Sequence, residues 1–101
     1  KQAMRKITKE SIEAFNSNTN FKKANTEVVV LNSVTMLRLH GNTIAEKFHL
    51  PIKALYISSC GWESNVTKER LNGISGVSIT QKNHIWFLNG NQWNGSSIKI
   101  Y

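Results

Sequence analysis

Hydrophobic and polar positions along this chain follow two periods in turn, and each change of period marks a new element. Ile7, Ile12 and Phe15 can share one face of a helix, which predicts a short helix over Lys9–Phe15 with Thr8 as N-cap and Ser11 at the capping-box position. The Asn16-Ser17-Asn18-Thr19-Asn20 cluster ends it, because such side chains compete for backbone hydrogen bonds, and a loop follows to about Asn25. Glu27–Leu31 and Val34–His40 are rich in β-branched and apolar residues, and Asn32-Ser33 between them suits a tight hairpin. After a turn at His40-Gly41-Asn42, Thr43–Phe48 reads as a third strand with Ile44 and Phe48 on one face. The segment His49–Lys53 interrupts before a fourth strand, Ala54–Ser59.

Beyond Gly61-Trp62 the pattern becomes helical again. Ser64, Asn65 or Thr67 can cap a short helix through Lys68–Leu71, with Asn72-Gly73 as a left-handed stop. Val77–Gln81 and Ile85–Leu88 flank Lys82-Asn83-His84 as a second hairpin, and Asn89-Gly90 is a type I′ turn signal leading to Gln92-Trp93. The predicted class is therefore α+β in the order α-ββββ-α-βββ. A curved antiparallel sheet, a meander plus a C-terminal hairpin, buries one face under two short helices.

A chain of 101 residues supports one core, and we expect a single domain over 1–101. Met4 reads as a native start, which makes Lys1-Gln2-Ala3 a remnant. The longest apolar run, Val28–Leu31, is far short of the roughly 20 residues that cross a bilayer, so no membrane partner is expected. The single cysteine, Cys60, excludes an internal disulfide and fits the cytoplasm of a bacterial cell. Composition adds a strong field: 13 Lys and Arg against six Glu and no Asp give a formal charge of +7, favouring polyanionic partners. Twelve Asn alongside many Lys and Ile would equally follow from an AT-rich coding sequence, which raises Lys without any pressure from nucleic acid.

Catalytic chemistry finds few parts here. Metal-dependent phosphodiester chemistry needs clustered carboxylates, whereas the Glu residues are scattered and Glu10 and Glu13 read as surface groups. Cys60, His40, His49 and His84 lack ligand spacing, and Cys60, ending an apolar strand, is expected as a small buried side chain. Nucleotide-cradling and serine-hydrolase motifs are missing. We expect no enzyme, no cofactor and no metal. What the second half does concentrate is Trp62, Trp86, Phe87 and Trp93 among Lys68, Arg70, Lys82 and several Asn and Gln. Cations neutralise phosphates while flat rings stack on bases, so Lys68, Arg70, Lys82, Trp86 and Trp93 are the candidate nucleic-acid or partner-binding residues. The competing reading is that indoles fill the core of so small a protein. In Ile85–Leu88, Ile85 and Phe87 face one way and Trp86 and Leu88 the other, so one bulky face has either a partner or solvent.

The stretch Trp62–Gly95 resembles a family of small proteins encoded by tailed phages and prophages. The resemblance is carried by Trp62, Thr67-Lys68-Glu69-Arg70-Leu71-Asn72-Gly73, Gly76-Val77 with Gln81-Lys82, and Trp86-Phe87-Leu88-Asn89-Gly90 followed by Trp93-Asn94-Gly95. Asn20-Phe21-Lys22-Lys23 and Leu39-His40-Gly41-Asn42 are similar more loosely, and 49–53 looks like a loop insertion. The resemblance implies a phage accessory role and transfers no catalytic residue. The leading expectation is a non-enzymatic phage accessory protein that binds nucleic acid through a basic and aromatic surface, in an infected bacterial host. The alternative is a phage-encoded inhibitor of a host defence system, such as a CRISPR effector or other nuclease, acting by direct protein–protein binding. A third is an assembly component that associates through its sheet edges.

Overall fold

The computed structural model describes residues 4–101, so the expectation for Lys1–Ala3 lies outside the described residues. The chain runs α1 (Lys6–Ser17), β1 (Phe21–Lys23), β2 (Thr26–Leu31), β3 (Val34–Leu39), β4 (Asn42–Phe48), β5 (Ala54–Ile57), α2 (Asn65–Asn72), β6 (Ile79–Lys82), β7 (Ile85–Leu88), β8 (Asn91–Gln92) and β9 (Ile98–Lys99). This is the expected α+β class with the expected alternation of elements, and it differs in three particulars. A short β1 forms inside the segment read as loop, and the C-terminal strands separate into their own sheet. The last strand then returns to the first sheet. The result is a six-stranded antiparallel sheet, β1-β2-β3-β4-β5-β9, and a three-stranded one, β6-β7-β8.

Alternation along the strands sorts the six-stranded sheet into two faces. Phe21, Val28, Leu37, Ala45, Ile57 and Ile98 are register partners in one row across the inner face. The outer face carries three rows. Lys22, Glu27, Arg38 and Thr43 form the first, Val29, Met36, Glu46, Tyr56 and Lys99 the second, and Leu31, Val34, Phe48 and Ala54 the third. A bulge between Leu37 and Arg38 pairs Arg38 with Thr43 and leaves Ile44 as the extra residue. Ile44 and Phe48 were expected on one face. The bulge shifts the alternation, so Ile44 and Ala45 are both buried while Phe48 stands on the outer face, edge-on to Tyr56 at 6.0 Å.

One core joins both sheets and both helices: Ile12, Phe15, Leu37, Ile57, Leu71, Ile79, Trp86 and Trp93 belong to a single buried cluster. Helix α1 contributes Thr8, Ser11, Ile12 and Phe15, a stripe at helical spacing. It starts earlier than expected, with Arg5 rather than Thr8 at the N-cap and no side-chain cap of its own. Its first turn holds no acidic residue and its last turn no basic one. Distant residues serve both ends instead. Arg5 N–H donates to Glu69 Oε2 at 3.1 Å, and Lys47 Nζ donates to the carbonyls of Phe15 and Asn16 at 2.5 and 3.3 Å. A carboxylate at the N-terminus and an ammonium at the C-terminus each oppose the helix dipole, worth about 0.3–1 kcal/mol apiece. Burial against α1 lowers the Lys47 pKa below its ordinary value.

Helix α2 is capped by Ser64, whose side chain accepts from Thr67 N–H. Its stop is not the expected left-handed glycine, since Gly73 has φ −74° and ψ −17°. Glycine is required there for space: a Cβ would fall 2.7 Å from Ile12 Cγ1. The chain leaves the helix because Asn72 pairs with Ile79 as a strand would, donating from Nδ2 to its carbonyl at 3.0 Å and accepting its N–H at Oδ1 at 2.6 Å. Asn89 and Gly90 both have positive φ, as the type I′ reading requires. Cys60 corrects another expectation: the strand ends at Ile57, and the residue sits exposed at φ 53°, its thiol donating to Thr43 O at 2.9 Å. Segment 49–53 links β4 to β5 and leaves Leu50 and Ile52 exposed.

Candidate functional site

Of the five candidate residues, three are enclosed. Arg70 is 1% exposed. Its Nε donates to Thr26 Oγ1 at 3.1 Å, and its Nη1 donates to Thr8 Oγ1 at 2.6 Å and Glu69 Oε1 at 2.5 Å. Thr8 in turn donates to the same carboxylate at 3.0 Å. A guanidinium cannot be buried without partners for its fork, and this network supplies them from α1, β2 and α2. Desolvation lowers the Arg70 pKa and the Glu69 carboxylate opposes that shift. Arg70 therefore locks the two helices to the sheet and is withdrawn from any phosphate.

Trp86 and Trp93 correct the second part of the expectation. Both are buried, their rings 6.1 Å apart at 38°, and Trp93 Nε1 donates to Ser96 O at 2.9 Å. They fill the space between the three-stranded sheet and the rest of the core. Neither offers a stacking surface. Trp62 is the exposed indole, at 66%, on the loop before α2.

Alternation places the complementary residues of the small sheet in solvent. Thr80, Phe87 and Gln92 are register partners, as are Lys82 and Ile85, and these five share the face opposite Trp86 and Leu88. Lys82 and Ile85 are exposed and Phe87 is half-buried. Lys68 on α2 reaches the same strand, donating from Nζ to Gln81 Oε1 at 2.9 Å. One residue on, Glu69 holds Arg5 at 4.0 Å. Arg5, Lys68 and Lys82 thus stand at the start of α1, on α2 and on β6, with Lys68 bonded to the Trp86 side of the small sheet and Lys82 on its other face. No carboxylate side chain occurs between Arg70 and Tyr101, so nothing on the small sheet neutralises Lys82.

Lys68 bonds the chain neighbour of Lys82, but Gln81 alternates onto the Trp86 side of β6 and Lys82 onto the other, while Arg70, Trp86 and Trp93 are buried. Arg5, Ile85 and Phe87 were missed. The signal was present in Ile85–Leu88: of two alternating pairs, the one holding the larger ring goes to the core, which puts Phe87 outside.

Among the described residues no three His, Cys, Asp or Glu side chains come together to hold a metal ion. His40 faces Asn25 at 3.4 Å and His49 faces Thr35 at 3.4 Å, in different parts of the sheet. No helix among the described residues is long and apolar enough to cross a membrane.

Residues 4–99 match the model of a family described as Kyanoviridae Gp96 protein. Neither a curated protein nor a solved structure matches the chain.

Proposed function

The chain belongs to the Kyanoviridae Gp96 protein family, which makes it a phage protein, and from that premise we propose that it is a non-enzymatic accessory protein that binds single-stranded nucleic acid. The reading keeps Lys68 and Lys82, replaces Arg70 by Arg5, and moves the stacking role from Trp86 and Trp93 to Phe87. One observation carries it: the solvent face of the three-stranded sheet sets Phe87 and Ile85 beside Lys82 with no carboxylate on the sheet. Single strands are bound by such surfaces because a ring stacks on any base while cations follow the backbone. The cytoplasm of the infected bacterium is where such a protein would work.

The test is fluorescence anisotropy with labelled DNA and RNA oligonucleotides over a range of salt. Three phosphate contacts by Arg5, Lys68 and Lys82 give a slope of about −2 in log K against log salt, at roughly −0.7 per contact for single strands. Phe87→Ala should weaken binding by about 1–3 kcal/mol. Absence of binding at low salt overturns the reading, as does binding indifferent to Lys68→Ala, Lys82→Ala and Phe87→Ala. A tight protein partner on the same face, in place of nucleic acid, would transfer the surface to the inhibitor reading.

A further inference from the structure

The outer face of the six-stranded sheet lies on the opposite side of that sheet from α1, which packs on β1, β2 and β3 through the inner face. Among the described residues no helix or strand covers its third row, where Leu31, Val34, Phe48 and Ala54 line up as register partners, with Leu31 exposed and the other three half-buried. The second row adds Val29, Met36 and Tyr56. Charge is graded in the opposite direction. Lys22, Glu27 and Arg38 stand in the first row, and Glu46 and Lys99 in the second. Glu27 and Arg38 are direct cross-strand partners without forming an ion pair; the ion pairs among the described residues are Arg5–Glu69, Lys23–Glu10 and Arg70–Glu69. Arg38 makes one bond, from Nη2 to Gly41 O at 2.7 Å, and its Nε is buried with no partner.

We infer that this face is the interface of a symmetric dimer, its occupant a second copy of the same chain. Two-fold symmetry makes an interface self-complementary, and this face is built for that. An axis running along the strands, between β2 and β3, lays each row on the same row of the other copy. The apolar row then meets the apolar row at its β2–β3 end. Along the first row the order reverses, so Glu27 of each copy lies over Arg38 of the other, and the guanidinium gains the carboxylate that it lacks. Val29 meets Met36 and Leu31 meets Val34 by the same operation. Sheets stack at about 10 Å with strands within roughly 30° of each other, a distance that these side chains span. Charge also selects this face over others. The chain carries +7, so copies repel each other over most of their surface, while here two carboxylates stand among three cations. A partner of a single sign would find half of the face repulsive.

Sedimentation velocity of nucleic-acid-free protein over a series of concentrations tests this. The wild type should move from monomer to dimer as concentration rises. Arg38→Glu and Glu27→Arg should each weaken the dimer by roughly tenfold or more, through like charges brought together across the interface. The double variant E27R/R38E should regain it, because reversing both members preserves the pairing. Val34→Lys should abolish association, and Leu31→Lys serves where Val34→Lys melts below the working temperature. A wild type that stays monomeric throughout overturns the inference. So does a dimer that all four substitutions leave intact, or one for which the double reversal is no better than the singles. The interface lies apart from Lys82 and Phe87, so oligonucleotide binding by a monomer would leave the proposed function standing and remove only the dimer.

Discussion

The small sheet and the large one supply inner faces to the same core and leave chemically different faces outside. On β6–β8 the inner side holds Trp86 and Leu88, and the outer side a cation and a ring with no acid among them. On β1–β5 and β9 the outer side holds acids, bases and a full apolar row. Arg70 and Arg38 make the same contrast within one residue type. Arg70 has partners on three elements and acts as a structural bolt, whereas Arg38 has a single carbonyl and an idle Nε–H. What this teaches is that formal charge is a poor guide to where a basic protein meets its partners. The deepest cation is structural, and the accessible ones sit where acids have been left out or left unpaired.

The contrast between the two sides of β7 has the largest expected effect. Trp86→Ala should cost about 3–5 kcal/mol, the usual range for emptying the site of a buried aromatic residue. Phe87→Ala, from a half-exposed site on the other side of the same strand, should cost no more than about 1 kcal/mol. Urea denaturation of both variants measures the difference. Equal losses would mean that the outer face is not a free surface.

The contrast between the arginines comes next. Arg70→Met should destabilise the fold by about 2–3 kcal/mol by stranding Thr8, Thr26 and Glu69. This is less than the roughly 3–5 kcal/mol of a fully enclosed pair, because the Glu69 side chain keeps 26% of its exposure. Arg38→Met should fall within about 0.5 kcal/mol of wild type, because it gives up one bond to a carbonyl and at the same time removes a buried Nε–H that has no partner. If the monomer suffers equally from both, the distinction between a bolt and a docking group fails.

The smallest effect concerns the C-terminal clamp of α1. Lys47→Met should cost under about 1 kcal/mol at neutral pH through loss of the ammonium from the helix end. Its sign with pH follows from burial. The folded pKa lies below the unfolded value of 10.5, so between the two the unfolded chain binds more protons and wild-type stability rises with pH. Thermal melts from mildly to strongly alkaline pH should show wild type gaining on the Met variant as pH climbs toward 10.5. A gap that narrows there would mean that Lys47 is not desolvated in the fold.

Most of the strand pattern was legible, because β-branched runs and Asn-Gly turns carry local signals that tertiary packing seldom overrides. β1 was hidden by its brevity: Phe21-Lys22-Lys23 looks polar, and it is a strand because β2 offers a free edge and α1 covers Phe21. The face of Phe48 was misread because a bulge leaves no mark in the sequence near Ile44. The candidate site was half legible. Lys68 and Lys82 are exposed or nearly so for ordinary reasons. Arg70 could be placed only by knowing that Thr8 and Thr26, 62 and 44 positions away, converge on it. The indoles followed volume rather than function, since a core shared by two small sheets needs wide rings to close it.

The remote clamps on α1 bear on the order in which the chain assembles. A twelve-residue helix is marginal in isolation even with good local signals. This one obtains its N-terminal carboxylate from residue 69 and its C-terminal ammonium from residue 47. That makes it a poor early nucleus, because each of these closures carries the entropic cost of a long loop. The hairpins β2–β3 and β3–β4, whose contacts are local, are the natural starting point, and α1 condenses onto them late. The segment of α1 leaves the ribosome before residues 47 and 69 do, so it meets its two clamps only after most of the elements that follow it have emerged.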